Sequence, residues 1–229
     1  MRIIVIGGSG RTGILIVEKL VAAGHSVVAT IRNPRHMAET VKRGAETIVL
    51  DLDKSPLAEF TNTMKGADAV VFAAGSAAGE GSALDRIGTR RTVHAAENAG
   101  VKRYVSISSI GASTGLSTRS MNDEMKDYYK QKRAAAKFIH ASSLDWTILE
   151  PGELTDGDGT GKVLLSLEAI NEASVPRGDV AAVVVALLDE PRELNRFLLR
   201  HLYRHYKVAR MSATRGTQTI ATALKAALS

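Results

Sequence analysis

The chain has 229 residues, 45% of them hydrophobic and 24% charged, which suits one α/β domain with a single sizeable core. No apolar run approaches the ~20 residues of a membrane-spanning helix, and the N-terminus lacks a secretory pattern. The absence of cysteine excludes disulfides, thiolate nucleophiles and cysteine metal sites, so the expectation is a cytoplasmic protein. The net charge of +6 is concentrated: residues 192–215 hold Arg192, Arg196, Arg200, Arg204, Lys207, Arg210 and Arg215 against Glu193 alone, and the rest of the chain is neutral.

In chain order, Ile3 to Ile6 reads as a buried strand. It runs into Gly7-Gly8-Ser9-Gly10-Arg11-Thr12-Gly13 and then a helix from Ile14 that ends near Ala23, with Gly24 as its stop. Ser26 to Ile31 is a second strand, and Pro34 opens a short helix ending near Arg43-Gly44. Thr47 to Leu50 is a strand, Pro56 to Met64 a helix and Ala69 to Ala73 a strand. After the Gly75–Gly81 loop comes a long helix from about Ala83 to Ala99. Tyr104 to Ile107, a polar loop, a helix from about Asn122 to Ala141 and the strand Trp146 to Leu149 follow. Loops and short elements are expected over 151–178, with Asp179 as N-cap of a helix from Val180 to Leu188. Strands alternating with helices predict a Rossmann-like, doubly wound parallel sheet with helices on both faces, in one domain. Residues 1–190 form its body, and 191–229 are a basic extension packing on it.

The glycine loop between strand and helix fits dinucleotide binding. Gly8-x-Gly10-x-x-Gly13 and Gly7-x-x-Gly10-x-x-Gly13 are both satisfied. Glycines let the backbone approach a diphosphate, and the helix N-terminus presents N–H groups and the positive end of its dipole. A reader of NAD places a carboxylate at the end of the second strand. Here that strand ends Thr30-Ile31-Arg32, and Arg11 lies in the loop, so NADP(H) is favoured over NAD(H). Asp51 and Leu52 stand where a chain flanks adenine, although Asp51 equally suits a turn cap. Ala73, Ala74 and Gly75 are small enough to let the backbone pass close to a cofactor.

The helix near 122–141 carries Tyr128 and Lys132 at i,i+4 spacing. Met125, Tyr128, Lys132, Ala135 and Ile139 form one stripe, and the cationic Lys126, Lys130, Arg133 and Lys137 form another that should face water. A lysine beside a tyrosine stabilises phenolate and fits the phenol for acid–base work on a carbonyl or alcohol, and Lys132 can also hold the nicotinamide ribose. Ser108 or Ser109 could orient a substrate oxygen. The structural alternative is that Tyr128 packs at the sheet edge while Lys132 extends along it to solvent.

As an ordered set these stretches resemble the atypical short-chain dehydrogenase/reductase superfamily, in its bacterial NmrA-like and epimerase/dehydratase-related branch. The stretches are the 7–13 loop, Leu50-Asp51-Leu52-Asp53, Gly100-Val101-Lys102-Arg103-Tyr104, Ser108-Ser109-Ile110-Gly111-Ala112, Asp127-Tyr128 with Lys132-Arg133, Leu144-Asp145-Trp146-Thr147-Ile148, Pro151-Gly152-Glu153-Leu154-Thr155 and Asp179-Val180-Ala181. The resemblance implies an NAD(P)H-binding oxidoreductase with Tyr128 and Lys132 as the superfamily's Tyr-x-x-x-Lys. The expected reaction is NADPH-dependent reduction of a small carbonyl or quinone-like substrate. The alternatives are a redox-sensing NADP-binding regulator and an epimerase/dehydratase. Ile110 stands where the superfamily's catalytic serine is expected, so Ser109 is only an approximate substitute. The basic segment departs from the family. Neither nucleic acid nor a membrane is the expected partner, and no metal is expected at His201-x-x-x-His205, where flanking arginines repel cations.

Overall fold

The computed structural model describes residues 1–75, 83–113, 118–166, 174–189, 208–212 and 218–228. The loop 76–82, the His201/His205 pair and most of the basic segment 192–215 therefore lie outside the described residues.

The chain builds β1 (Arg2–Ile6), α1 (Arg11–Ala22), β2 (Ser26–Ile31), a 3-10 turn (Pro34–His36), α2 (Met37–Lys42), β3 (Glu46–Val49), α3 (Leu57–Met64) and β4 (Ala69–Phe72). It continues with α4 (Ala83–Ala99), β5 (Arg103–Ile107), α5 (Asp123–His140), β6 (Asp145–Pro151), β7 (Glu153–Thr155), β8 (Lys162–Ser166), β9 (Ser174–Pro176) and α6 (Arg177–Asp189). The last elements are β10 (Val208–Ser212), β11 (Gln218–Thr219) and α7 (Ile220–Leu228).

The main sheet runs β3-β2-β1-β4-β5-β6-β10 with every neighbour parallel, then β8 and β11 antiparallel at the edge. The strand order reverses beside β1, between β1 and β4. In open α/β sheets ligands bind at such a reversal, beyond the strands' C-terminal ends. Alternation of side chains puts Ile3 and Val5 on one face, against Ile16, Val17 and Leu20 of α1 and the Val183/Val184 stretch of α6. Ile4 and Ile6 face the other way, against Phe60 and Met64 of α3, Val93 and Ala96 of α4, and Ile139 of α5. Burial on both faces is why β1, β4 and β5 read as continuous runs. A buried hydrogen bond of 2.8 Å between Thr92 and Tyr104 ties α4 to β5.

Three expectations change. The short helix after Pro34 splits into a 3-10 turn and α2, because Asn33 caps the turn by accepting from the Arg35 N–H at 3.0 Å. Within 151–178, β8 joins the main sheet through β10, and β7 pairs with β9 in a two-stranded parallel sheet. Asp179 is not an N-cap: α6 begins at Arg177, and the Asp179 carboxylate instead accepts from the Thr160 N–H, the Thr160 hydroxyl and the Gly161 N–H.

Candidate functional site

The glycine loop closes on itself at the end of β1. The Gly8 N–H donates to the Thr30 carbonyl at 2.9 Å, the Gly10 N–H to the Gly7 carbonyl at 3.0 Å, and the Ile14 N–H to the Gly10 carbonyl at 2.8 Å. Gly7 has φ +80°, and a Cβ there would stand 2.7 Å from the Ala74 Cα. A Cβ on Gly13 would stand 2.1 Å from the Gly7 carbonyl oxygen. These glycines let β1, α1 and the segment after β4 meet. Gly10 is the N-cap of α1 with no side-chain cap, and no acidic residue lies in the first turn. The helix therefore begins on open backbone with its positive dipole end undiminished, a suitable seat for an anion.

Above this loop lies a cavity of about 550 Å³, of cofactor size. Of the residues singled out in the sequence, Gly7, Ser9, Gly10, Arg32, Leu52, Ala73, Ala74 and Gly75 line it. Gly8 and Gly13 sit behind the lining, against Ala29 and the Gly7 carbonyl respectively. Arg11 is exposed and Thr12 half-buried, outside the cavity lining. Asp51 serves the turn that follows β3: its Oδ1 accepts from the Asp53 N–H at 2.9 Å, and Lys54 Nζ is 4.0 Å from its Oδ2. Leu52 reaches the lining, and Arg91 of α4 donates to its carbonyl. Sequence reasoning missed Asn33, His36 and Leu84, which also line the cavity. Arg32 and His36 are the basic groups of the lining, and no carboxylate is among its described residues.

Behind Gly75 is an ion pair that sequence reasoning also missed. Lys132 Nζ lies 2.7 Å from Asp85 Oδ1, with the two side chains 8% and 3% exposed. Asp85 stands in the first turn of α4 and Lys132 in the middle of α5. The Tyr128 ring centroid is 5.4 Å from the ammonium. Burial opposes the charge on Lys132, but Asp85 and then Tyr128 outweigh it, so the lysine pKa stands above its ordinary value. A narrow cavity of about 10 Å³ beside the pair is lined by Asp85, Thr89, Ser106, Ser108 and Lys132 among others. Thus Ser108 borders the lysine, and Ser109 is half-buried next along the chain.

The inward face of α5 is Tyr129, Lys132, Ala135, Ala136 and Ile139, so its centre is shifted slightly from the expected stripe. Tyr129 is buried and donates from its hydroxyl to the Ile110 carbonyl at 3.2 Å, fixing the loop after β5. Tyr128 is half-buried and packs edge-on against Tyr129, with centroids 5.4 Å apart. Of the cationic stripe, Lys126, Lys130 and Lys137 are exposed, whereas Arg133 is half-buried.

The sequence profile of the NAD(P)H-binding family matches residues 7–191, from the glycine loop to the end of α6. The chain belongs to the NAD(P)H-binding family. Its glycine loop and parallel strand order are those of a Rossmann-like α/β domain. The uncharacterized sugar epimerase YhfK of Bacillus subtilis (strain 168) is 33% identical over 205 residues, covering 86% of this chain and 92% of that protein. A putative NAD-dependent epimerase/dehydratase from Bacillus halodurans superposes with a TM-score of 0.82 at 31% identity, over 99% of both chains. The oxidoreductase ylbE of Lactococcus lactis gives 0.77 at 26% identity, over 100% of this chain and 97% of its own. The protein is thus an NAD(P)H-binding member of an oxidoreductase- and epimerase-like family. No helix among the described residues is long and apolar enough to cross a membrane.

Proposed function

We propose that this NAD(P)H-binding protein is an NADPH-dependent reductase of a small carbonyl or quinone-like substrate. The observation that carries the cofactor choice is the lining of the 550 Å³ cavity, where Arg32 and His36 stand at the end of β2 and in the turn that follows it. Two basic groups with no described carboxylate beside them favour a 2′-phosphate over a bare ribose. The diphosphate belongs against Gly7, Ser9 and Gly10 at the uncapped start of α1, and the adenine end beside Leu52. A nicotinamide cofactor held by these residues would supply the hydride for the carbonyl carbon. Tyr128 donates the proton that turns the carbonyl oxygen into a hydroxyl, and Lys132 keeps that phenol beside a positive charge. Ser109, or Ser108 beside the lysine, holds the substrate oxygen by hydrogen bonding.

The test is a fluorescence titration with NADPH and NADH, followed by a panel of carbonyls and quinones scored by loss of NADPH absorbance. Arg32→Asp should weaken NADPH at least tenfold more than NADH, and equal weakening would refute the phosphate assignment. Tyr128→Phe should reduce turnover by ~100-fold or more, the ordinary contribution of a general acid. Unchanged turnover in that variant would remove Tyr128 from the chemistry, and tight binding with no turnover across the panel would favour a redox-sensing regulator. The names of the 33% and 31% identical relatives support a second reading, epimerisation or dehydration of a sugar nucleotide. Product formation from nucleotide sugars without net NADPH consumption would select it.

A further inference from the structure

The proposed reduction gives Asp85 no part, yet its burial and contacts demand one. A carboxylate and an ammonium inside a fold cost several kcal/mol each in lost hydration, which a single contact barely recovers. An apolar pair would fill the same space between α4 and α5. Asp85 Oδ2 is buried with no hydrogen-bond partner among the described residues. Gly75 separates the pair from the nucleotide cavity: a Cβ there would stand 3.4 Å from Asp85 Oδ1 and 3.5 Å from Lys132 Nζ. Gly75 lines the cavity while Lys132 does not, so the ammonium lies one backbone layer behind the cavity wall, at the thinnest residue of that wall.

The groups around Lys132 come from several elements. α4 contributes Asp85 and Thr89, β5 and the residue after it contribute Ser106 and Ser108, and α5 itself contributes Tyr128. Phe72 of β4 and Ile148 of β6 complete the surroundings with apolar surface. Arg86 of α4 is turned towards Gln131, to which it donates at 2.9 Å. Among the described residues, Asp85 is therefore the carboxylate facing Lys132, and Tyr128 is the other titrating group.

We propose that Asp85 is a positioning residue for the Tyr128–Lys132 pair. Its carboxylate fixes Lys132 Nζ behind Gly75 and keeps it protonated, so that one ammonium serves both the Tyr128 phenol and the nucleotide cavity. A buried lysine without a counter-charge gives up its proton far more readily than one in water, by up to ~3–5 pH units when fully buried. The proposal rests on the reading of that cavity as a nucleotide site, but its test does not depend on turnover.

The full chain labelled with 15N-lysine is titrated by NMR, with Lys132 assigned by its loss in Lys132→Met. In the wild type Lys132 should stay protonated through the neutral range. In Asp85→Asn it should lose its proton at least tenfold more readily, and Asp85→Glu should restore much of the difference. A titration unchanged by Asp85→Asn, or a neutral Lys132 amine at neutral pH in the wild type, overturns the proposal. If Asp85→Asn does not fold, Asp85→Ser and the wild-type titration decide. NADPH affinity measured against pH gives a second readout: it should fall with rising pH in Asp85→Asn relative to the wild type. A wild type that binds no NADPH would refute the nucleotide reading, while the lysine titration would still judge Asp85.

Discussion

Gly13→Ala is the sharpest perturbation of the nucleotide loop. The new Cβ would lie 2.1 Å from the Gly7 carbonyl oxygen, 3.0 Å from the Gly7 carbonyl carbon and 3.2 Å from the Gly8 Cα. All three are backbone atoms, so no flexible side chain can yield. A close C···O approach needs ~3.3 Å, so α1 and the loop must separate by about 1 Å. Overpacking of this kind costs roughly 1–3 kcal/mol, opposed by the ~1 kcal/mol by which alanine exceeds glycine as a helix former. The displaced atoms form the wall of the cavity, so the cost should be felt in binding. A loss of ~1.4 kcal/mol is tenfold in affinity, and NADPH Kd should rise at least that much, measured by fluorescence titration at a temperature where the variant is folded. Gly24→Ala is the control. Gly24 has φ +85°, but a Cβ there would meet no atom within 4 Å, so this variant should lose about 1 kcal/mol of stability and no affinity. If Gly13→Ala binds NADPH as the wild type does, the loop is not the diphosphate seat. Equal weakening in both variants would mean that general destabilisation is being read.

Other outcomes follow from the same geometry. The His140 imidazole packs against Trp146, the single tryptophan, with centroids 4.7 Å apart; the residue as a whole is exposed, and it is the partial loss of ring hydration that lowers its pKa. The fold thus favours the neutral ring: this contribution to stability is fully present above the ordinary value of about 6.5 and is lost as pH falls through the lower folded value. Trp146 emission should be quenched by the imidazolium with a midpoint below about 6.5, and His140→Gln should abolish the transition. A midpoint at or above the ordinary value would contradict the lost-hydration argument. Asp179→Ala removes an acceptor used by three donors at 2.8–3.2 Å and should cost about 3 kcal/mol, at ~1–3 per charge-assisted bond with some relaxation. In a domain of this size the melting temperature should fall by roughly 6–12 °C, and a fall under about 2 °C would show that water replaces the carboxylate.

The central sheet was legible because its signals are local. Each strand from β1 to β6 is an apolar run bounded by a turn, and each helix before α6 has its own periodicity and stop. The elements at the far edge were harder. β8 alternates exposed and buried residues over only five positions, and its partner β10 lies more than 40 residues downstream, so neither run identifies the pairing. Asp179 misled for a related reason. An aspartate just before an apolar run suits a helix cap, but its carboxylate is satisfied by Thr160 and Gly161, 19 and 18 residues earlier, leaving α6 to begin at Arg177.

The two halves of the candidate site differ in the same way. The nucleotide cavity is built from strand ends and the loops that directly follow them, so a motif at 7–13, an arginine after β2 and small residues after β4 mark it along the chain. The lysine's counter-charge is 47 residues away on another helix, and nothing next to Lys132 announces it. One signal was present: Asp85, Thr89, Thr92 and Ala96 recur at helical spacing and share the buried face of α4. Thr92 is satisfied by Tyr104 and by the Gly88 carbonyl of its own helix, which leaves the aspartate as the one charge on an otherwise neutral buried face. A carboxylate in that position requires a cation from a neighbouring element. Among the helices packed on that side of the sheet, α5 supplies one from the middle of its inward face, and Lys132 is that residue. The pairing follows from the burial requirement once α4 and α5 are known to be neighbours, a relation that only the strand order supplies.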